Sequence, residues 1–210
     1  MAKRTRTAPR KKPRQGRSQA TVDAILVATA RVLCATGYDR ASTNRIALAA
    51  GVSVGSLYQY FPSKEALVAA VIDRHNEEIM QVVRAALTEV ADMPIDKGVR
   101  RLVTVAIEAH RIDPKLHRVL AEQIPRTGQL ADVEAFNREV HTLVRAYLES
   151  RRKEMRKIDP GLATFICVSA IEAVAHNTVL NQAEMLSEKT VRTLVDETTR
   201  MVVGYLRPST

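Results

Sequence analysis

The chain is predicted to be all-α, with a small N-terminal unit of three helices, a long connecting helix and a larger C-terminal helical body. Three observations lead there. Apolar residues recur at helical spacing from Val22 to Leu206, with no sustained strand-like alternation. The composition is 46% hydrophobic but only 4% aromatic, rich in Ala, Val and Leu, as helical proteins are. The stretch Ser42 to Lys64, STNRIALAAGVSVGSLYQYFPSK, contains two short helices bounded by caps and stops.

That stretch organises the rest. Ser42 or Thr43 can accept the orphan N–H groups of a helix whose apolar positions Ile46, Ala47 and Ala50 share one face. Gly51 supplies the left-handed residue that ends it, and Val52 fills the turn. Ser53 caps a second helix that Pro62 stops, so it spans little more than Val54 to Tyr60. A helix this short persists only when packed on neighbours, here through Leu57 and Phe61. Val54, Gly55, Ser56, Tyr58, Gln59 and Tyr60 are left at or near the surface. Such a surface suits a major groove: Gln pairs with adenine edges, Ser with either kind of edge, Val meets a thymine methyl, and Gly lets a backbone approach. Tyrosine hydroxyls more often hold phosphates.

The run TNRIALAAGVSVGSLYQYFPSKEAL, Thr43 to Leu67, closely resembles the DNA-binding signature of the TetR family of bacterial transcriptional regulators. The resemblance covers about residues 18 to 72. It implies that Thr43 and Lys64 hold phosphates, that Ser56, Tyr58 and Gln59 lie on the recognition face, and that Tyr60 reaches the backbone. Asn44 is placed to reach a phosphate or a nearby base. The base sequence read does not carry over, because the variable positions set it.

The net charge of +9 is unevenly distributed. Residues 1 to 17 hold eight Lys or Arg and no acid, leaving 24 basic against 23 acidic residues in the remainder. This arm, with Pro9, Pro13 and Gly16, is expected to be disordered in the free protein and to run along phosphates or enter a minor groove, contributing affinity rather than sequence choice. A solubilising tail is the alternative. No apolar stretch of a secretion signal follows the charges, and a cytoplasmic location is expected.

Between Arg17 and Thr36, Val22, Ile25, Leu26, Thr29, Val32 and Leu33 form one stripe and Gly37 closes the helix. The domain boundaries expected are therefore 1–17 for the arm, 18–62 for the helix-turn-helix domain and 63–210 for the C-terminal effector-binding and dimerisation domain. Ser63 opens a long helix with a stripe of Leu67, Val71, Ile72, Ile79, Val82, Val83, Ala86, Leu87 and Val90, about 40 Å long at 1.5 Å per residue. It transmits any pivot at its far end to the reading surface. Later helices are expected at about 95–111, 114–123, 128–157, 160–182 and 188–206, with Asp113-Pro114 and Asp159-Pro160 as cap and first-turn pairs. The basic run Arg151, Arg152, Lys153, Arg156 and Lys157 reads as the solvated end of the third of these, complementing its dipole. Cys34 and Cys167, without CxxC spacing, read as small core hydrophobes.

Residues 160–182 are apolar or small on both sides. With Glu172, His176 and Asn177 they make a poor membrane span in a chain with no other candidate, and no membrane association is expected. Packing of one face within the protomer and the other on a partner explains the pattern, with 188–206 completing an intermolecular four-helix bundle in a homodimer. The resemblance implies the same mode. Glu172 and His176, one turn apart, are read as lining a small-molecule effector pocket with Phe136, Asn137, His141, His110 and Gln123. The alternative is that the pair satisfies itself in the core or at the dimer interface.

There is no Gly-rich phosphate loop, nucleophile elbow or HExxH, and GVSVG lacks a preceding strand, so neither an enzyme nor a cofactor is expected. No two of His110, His117, His141 and His176 share ligand spacing on one helix, and no metal is expected. The function expected is a sequence-specific regulator on a palindromic operator of double-stranded DNA, a repressor released by a small molecule. The alternatives are a C-terminal domain controlled by a protein or by no ligand, an activator, or a sequence-independent DNA coater driven by the arm.

Overall fold

The computed structural model describes residues 16–122, 130–181 and 187–208. Nine α-helices lie among them: α1 (Gly16–Arg40), α2 (Thr43–Ala50), α3 (Val54–Tyr60), α4 (Lys64–Glu89), α5 (Ile95–His110), α6 (Pro114–Glu122), α7 (Leu130–Ser150), α8 (Pro160–Asn181) and α9 (Glu188–Leu206). No strand occurs among the described residues. The chain divides into two compact units at Asn76/Glu77, Pro114/Lys115 and Asp132/Val133, so that α4 gives its first half to one unit and its second half to the other.

The first unit is built on a core of Ile25, Leu26, Ile46, Ala47, Leu57, Phe61, Leu67, Val71 and Leu116. Leu33, Val68, Ile72 and Val119 extend it. Thr29 is fully buried on the α1 stripe, where its hydroxyl donates to the Ile25 carbonyl at 2.8 Å. Helical hydrogen bonding continues past the expected stop at Gly37 to Arg40, although Gly37 itself leaves helical geometry at φ 75°, ψ 170°. Arg40 donates to the Thr36 carbonyl across the break, which holds the extra turn. The segment Ser18–Arg40 is also long and apolar enough by composition to cross a membrane, so 160–182 is not the only segment to be considered. Its stripe of Ile25, Leu26, Ala28, Thr29 and Leu33 is buried in the protein's own core.

The second unit packs α5 against α8 and α9 around Val99, Val103, Ile107, Leu148, Ala163, Cys167, Val191, Val195, Val202 and Leu206. On α4 the buried positions include Ile79, Met80 and Ala86, with Val90 buried just past its end, while Val82, expected on the stripe, faces outward. Pro160 opens α8, and the Asp159 carboxylate accepts the Leu162 N–H at 2.8 Å, the expected cap. Burial pushes the Cys167 thiol up to about 11, which makes it a core residue of low reactivity.

The helix expected at 128–157 ends instead at Ser150. A single 3₁₀ turn, Arg152–Glu154, and an extended Met155 follow. Tertiary bonds account for the break. Glu154 accepts the Ile95 N–H at 2.8 Å, Met155 is buried, and the Arg156 N–H donates to the Leu206 carbonyl at 2.9 Å. The basic run is therefore not the end of a solvated helix. Arg156 donates through Nε to the Tyr205 carbonyl at 2.7 Å, Arg151 donates to the Ala91 carbonyl, and Arg152 to that of Ile158. Two of these arginines thus bond carbonyls at or just beyond the C-terminal ends of α9 and α4, where positive charge is favoured.

Gly98 allows α5 to approach α7 closely, because a Cβ there would overlap the Tyr147 hydroxyl. Gly98→Ala is expected to cost about 1–3 kcal/mol of stability through this overpacking, measured by urea unfolding.

Candidate nucleic-acid interface and effector site

Two short helices carry the candidate DNA surface, and local bonds define both of them. Ser42 is the cap of α2, its hydroxyl accepting the Arg45 N–H, and Gly51 ends the helix at φ 68°, ψ 28°. The Val52 N–H then reaches back to the Ala47 carbonyl at 3.0 Å, closing the turn. Ser53 caps α3 by accepting the Ser56 N–H at 3.0 Å, and its hydroxyl also bonds that of Ser56 at 2.8 Å. Leu57 is fully buried and Phe61 nearly so, which fixes the roll of α3 about its axis.

With Leu57 pointing inward, Val54, Gly55, Tyr58 and Gln59 are exposed, and Ser56 and Tyr60 are half-buried. Tyr60 packs partly on the core, so its side chain is less available than the other five. Thr43 and Tyr58, from different helices, share a hydrogen bond between hydroxyls at 3.1 Å. This bond registers the start of α2 against α3. Asn44 is exposed beside it.

Lys64 is held in a way that its place in the chain does not suggest. Its ammonium lies 4.1 Å from the centroid of the Tyr38 ring and donates to the Tyr38 carbonyl at 3.0 Å. Burial, then the charges of Glu65 and Asp39, push the Tyr38 hydroxyl up. Lys64 therefore ties the end of α1 to the start of α4. Tyr38 carries no signal for this role, being 26 residues away. Arg45, exposed next to Asn44, is a further cation on this surface that the motif does not single out. A buried His75, bonded to His117 at 3.4 Å, is a second feature of this unit that periodicity alone does not indicate.

In the second unit, several residues expected to line an effector pocket come together around α8. His141 of α7 lies with its ring 6.4 Å from that of Phe165, and its charge acts on Glu172. At the next turn, His176 meets His110 of α5 edge-on, with ring centroids 6.3 Å apart. His110 donates through Nδ1 to the Ala106 carbonyl at 2.7 Å. Burial pushes the Glu172 carboxyl up, and His141 only partly opposes it. Phe136 is half-buried and Asn137 exposed, with no hydrogen bond to this cluster among the described residues. Gln123 lies outside the described residues, as does the arm as far as residue 15; Gly16 and Arg17 already belong to α1.

A capped, surface-held second helix on a three-helix unit, followed by a helical body, is the architecture of a helix-turn-helix transcriptional regulator. The family model for bacterial regulatory proteins of the tetR family matches residues 25–71, and that for the tetracyclin repressor-like C-terminal domain matches 94–206. The chain belongs to the TetR family of DNA-binding transcriptional regulators. The nucleoid occlusion factor SlmA of Haemophilus ducreyi is 33% identical over 84 residues, covering 40% of this chain and 41% of that protein. The HTH-type transcriptional activator FasR of Mycolicibacterium smegmatis is 38% identical over 85 residues, or 40% and 36% of the two chains. The chain thus spans about two fifths of the length of these curated relatives. The structure of the fatty acid degradation regulator FadR from Bacillus halodurans shares the fold, with a TM-score of 0.73 at 20% identity over 94% of this chain and 100% of that one.

Gln59→Ala should weaken binding to a selected operator by roughly tenfold or more while leaving the melting temperature unchanged, since Gln59 is exposed. Parallel fluorescence-anisotropy titrations and thermal melts measure both. Glu172 gives a pH test. Between the ordinary carboxyl range and its raised native value, the unfolded chain binds fewer protons than the native one, so stability falls as pH rises through that window. Glu172→Gln should therefore raise the melting temperature at neutral pH and lose most of that advantage at about pH 3.5, below the ordinary range.

Proposed function

We propose that this protein is a homodimeric repressor that binds a roughly palindromic operator and leaves it when a small molecule binds the C-terminal unit. The observation that carries the DNA half is the fixed roll of α3, which turns Val54, Gly55, Tyr58 and Gln59 outward while Leu57 and Phe61 hold the helix down. Thr43, Asn44, Lys64 and the tyrosines then position the protein on phosphates, and Ser56, Gln59 and Val54 read base edges. Two such helices in a dimer address successive major grooves about one helical turn, or a small multiple, apart.

Dimerisation through α8 and α9 is supported by large apolar side chains facing away from the unit's core: Leu162 is 52% exposed and Met201 49%. A partner copy would remove both from water. The effector half rests on the cluster His110, His141, Glu172 and His176. A ligand there shifts DNA affinity only by its difference in affinity between two states, and the same coupling makes operator DNA weaken ligand binding. A location in the cytoplasm follows from this role. The similarity to FasR, a transcriptional activator, supports a second reading, in which the same machinery activates transcription.

Selection of bound sequences from a random DNA library at moderate salt, where phosphate attraction is suppressed, is expected to enrich an inverted repeat. Absence of any enriched sequence overturns the operator reading. His176→Leu is expected to change the release of that DNA by effector more than the operator affinity itself. Dimer dissociation without any change in response, measured by sedimentation, would place His176 in the interface instead.

A further inference from the structure

Glu172 is the one Asp, Glu, Lys or Arg between Pro160 and Asn181. It is half-buried on a helix that otherwise carries, apart from His176, apolar and small polar residues. Among the described residues no hydrogen bond or ion pair reaches its carboxylate, and the charge acting on it is that of His141 on α7. A partly desolvated carboxylate without a donor is costly, and natural structures seldom retain one without use.

Its surroundings match one class of guest. Two turns earlier on α8, the Phe165 ring is 60% exposed, with the His141 ring beside it at 6.4 Å. These two rings offer flat apolar surface, and the His141 ring is near enough for its charge to act on Glu172. One turn later, His176 and His110 close the row with two imidazoles. The cluster therefore presents one anionic acceptor and aromatic faces, with no cationic lysine or arginine from α8 that would favour an anion.

We propose that the effector is an organic cation, an N–H-bearing ammonium on an apolar, ring-containing body, whose nitrogen is received by Glu172 and whose body lies on Phe165 and His141. The assignment rests on the reading of this cluster as an effector site and names the class of ligand for it. The cation supplies the missing donors, and a charge-assisted bond in a partly dry site is stronger than a neutral one. The exposed Phe165 face adds attraction for the positive charge.

The test uses the full-length protein and three probes with one body and different heads: phenylbutylammonium, phenylbutanol and phenylbutyrate, titrated calorimetrically. The ammonium is expected to bind roughly tenfold or more tightly than the alcohol, and the carboxylate least well. Glu172→Gln should abolish the preference for the ammonium and leave the alcohol's affinity unchanged. The comparison among probes on the unsubstituted protein stands whether or not that variant folds. Alcohol or butyrate binding as tightly as the ammonium overturns the cation assignment and leaves the ligand-site reading intact. Retention of the ammonium preference in the variant overturns the role of Glu172. No binding by any of the three overturns the ligand-site reading itself, and the inference with it.

Discussion

Everything in the first unit depends on keeping a seven-residue helix in place. Alone, α3 cannot repay the cost of its own nucleation. It exists because Leu57 and Phe61 are driven into a shared apolar core with Ile25, Ile46 and Leu67, and because Ser53 satisfies an N–H that the helix cannot. The same two hydrophobic contacts that stabilise the helix also set which residues face outward. Stability and recognition are therefore not separable here: a change at Leu57 would misplace Gln59 without touching it.

The hydroxyl bond between Thr43 and Tyr58 and the docking of Lys64 on Tyr38 extend this logic. Side chains suited to phosphate contact are already restrained by neighbours from other helices. In the proposed DNA complex, less side-chain freedom would remain to be lost, which favours affinity through pre-organisation. Tyr60 shows the limit, since its ring is shared between the surface and the core.

In the second unit the governing constraint is a helix that is apolar nearly all round. Ala163, Cys167, Val168 and Ala175 of α8 enter the core, leaving Leu162 and Phe165 exposed and Glu172 between environments. At the opposite end of the C-terminal sequence pattern, arginines turn inward to helix-end carbonyls. Arg151 and Arg156 satisfy carbonyls that α4 and α9 leave open, and this use of charge requires the chain to abandon helix at Ser150.

What the amino-acid order determined by itself is local. Caps at Ser42 and Ser53, the left-handed Gly51 and the Asp159-Pro160 start act within four residues, so the bounds of α2 and α3 and the start of α8 were legible without any knowledge of packing. The face of α3 was legible too, because one buried leucine in a two-turn helix leaves a single choice. Only tertiary structure decided the rest. The end of α7 depends on Glu154 meeting Ile95 and Arg156 meeting Leu206, partners 59 and 50 residues distant, and helical periodicity holds no record of such bonds. The gathering of His141, Phe165 and Glu172, like the seat of Lys64 on Tyr38, likewise arises where separate helices cross. Short-range rules fix which residues a helix presents, but the identity of what they meet is set by how helices pack.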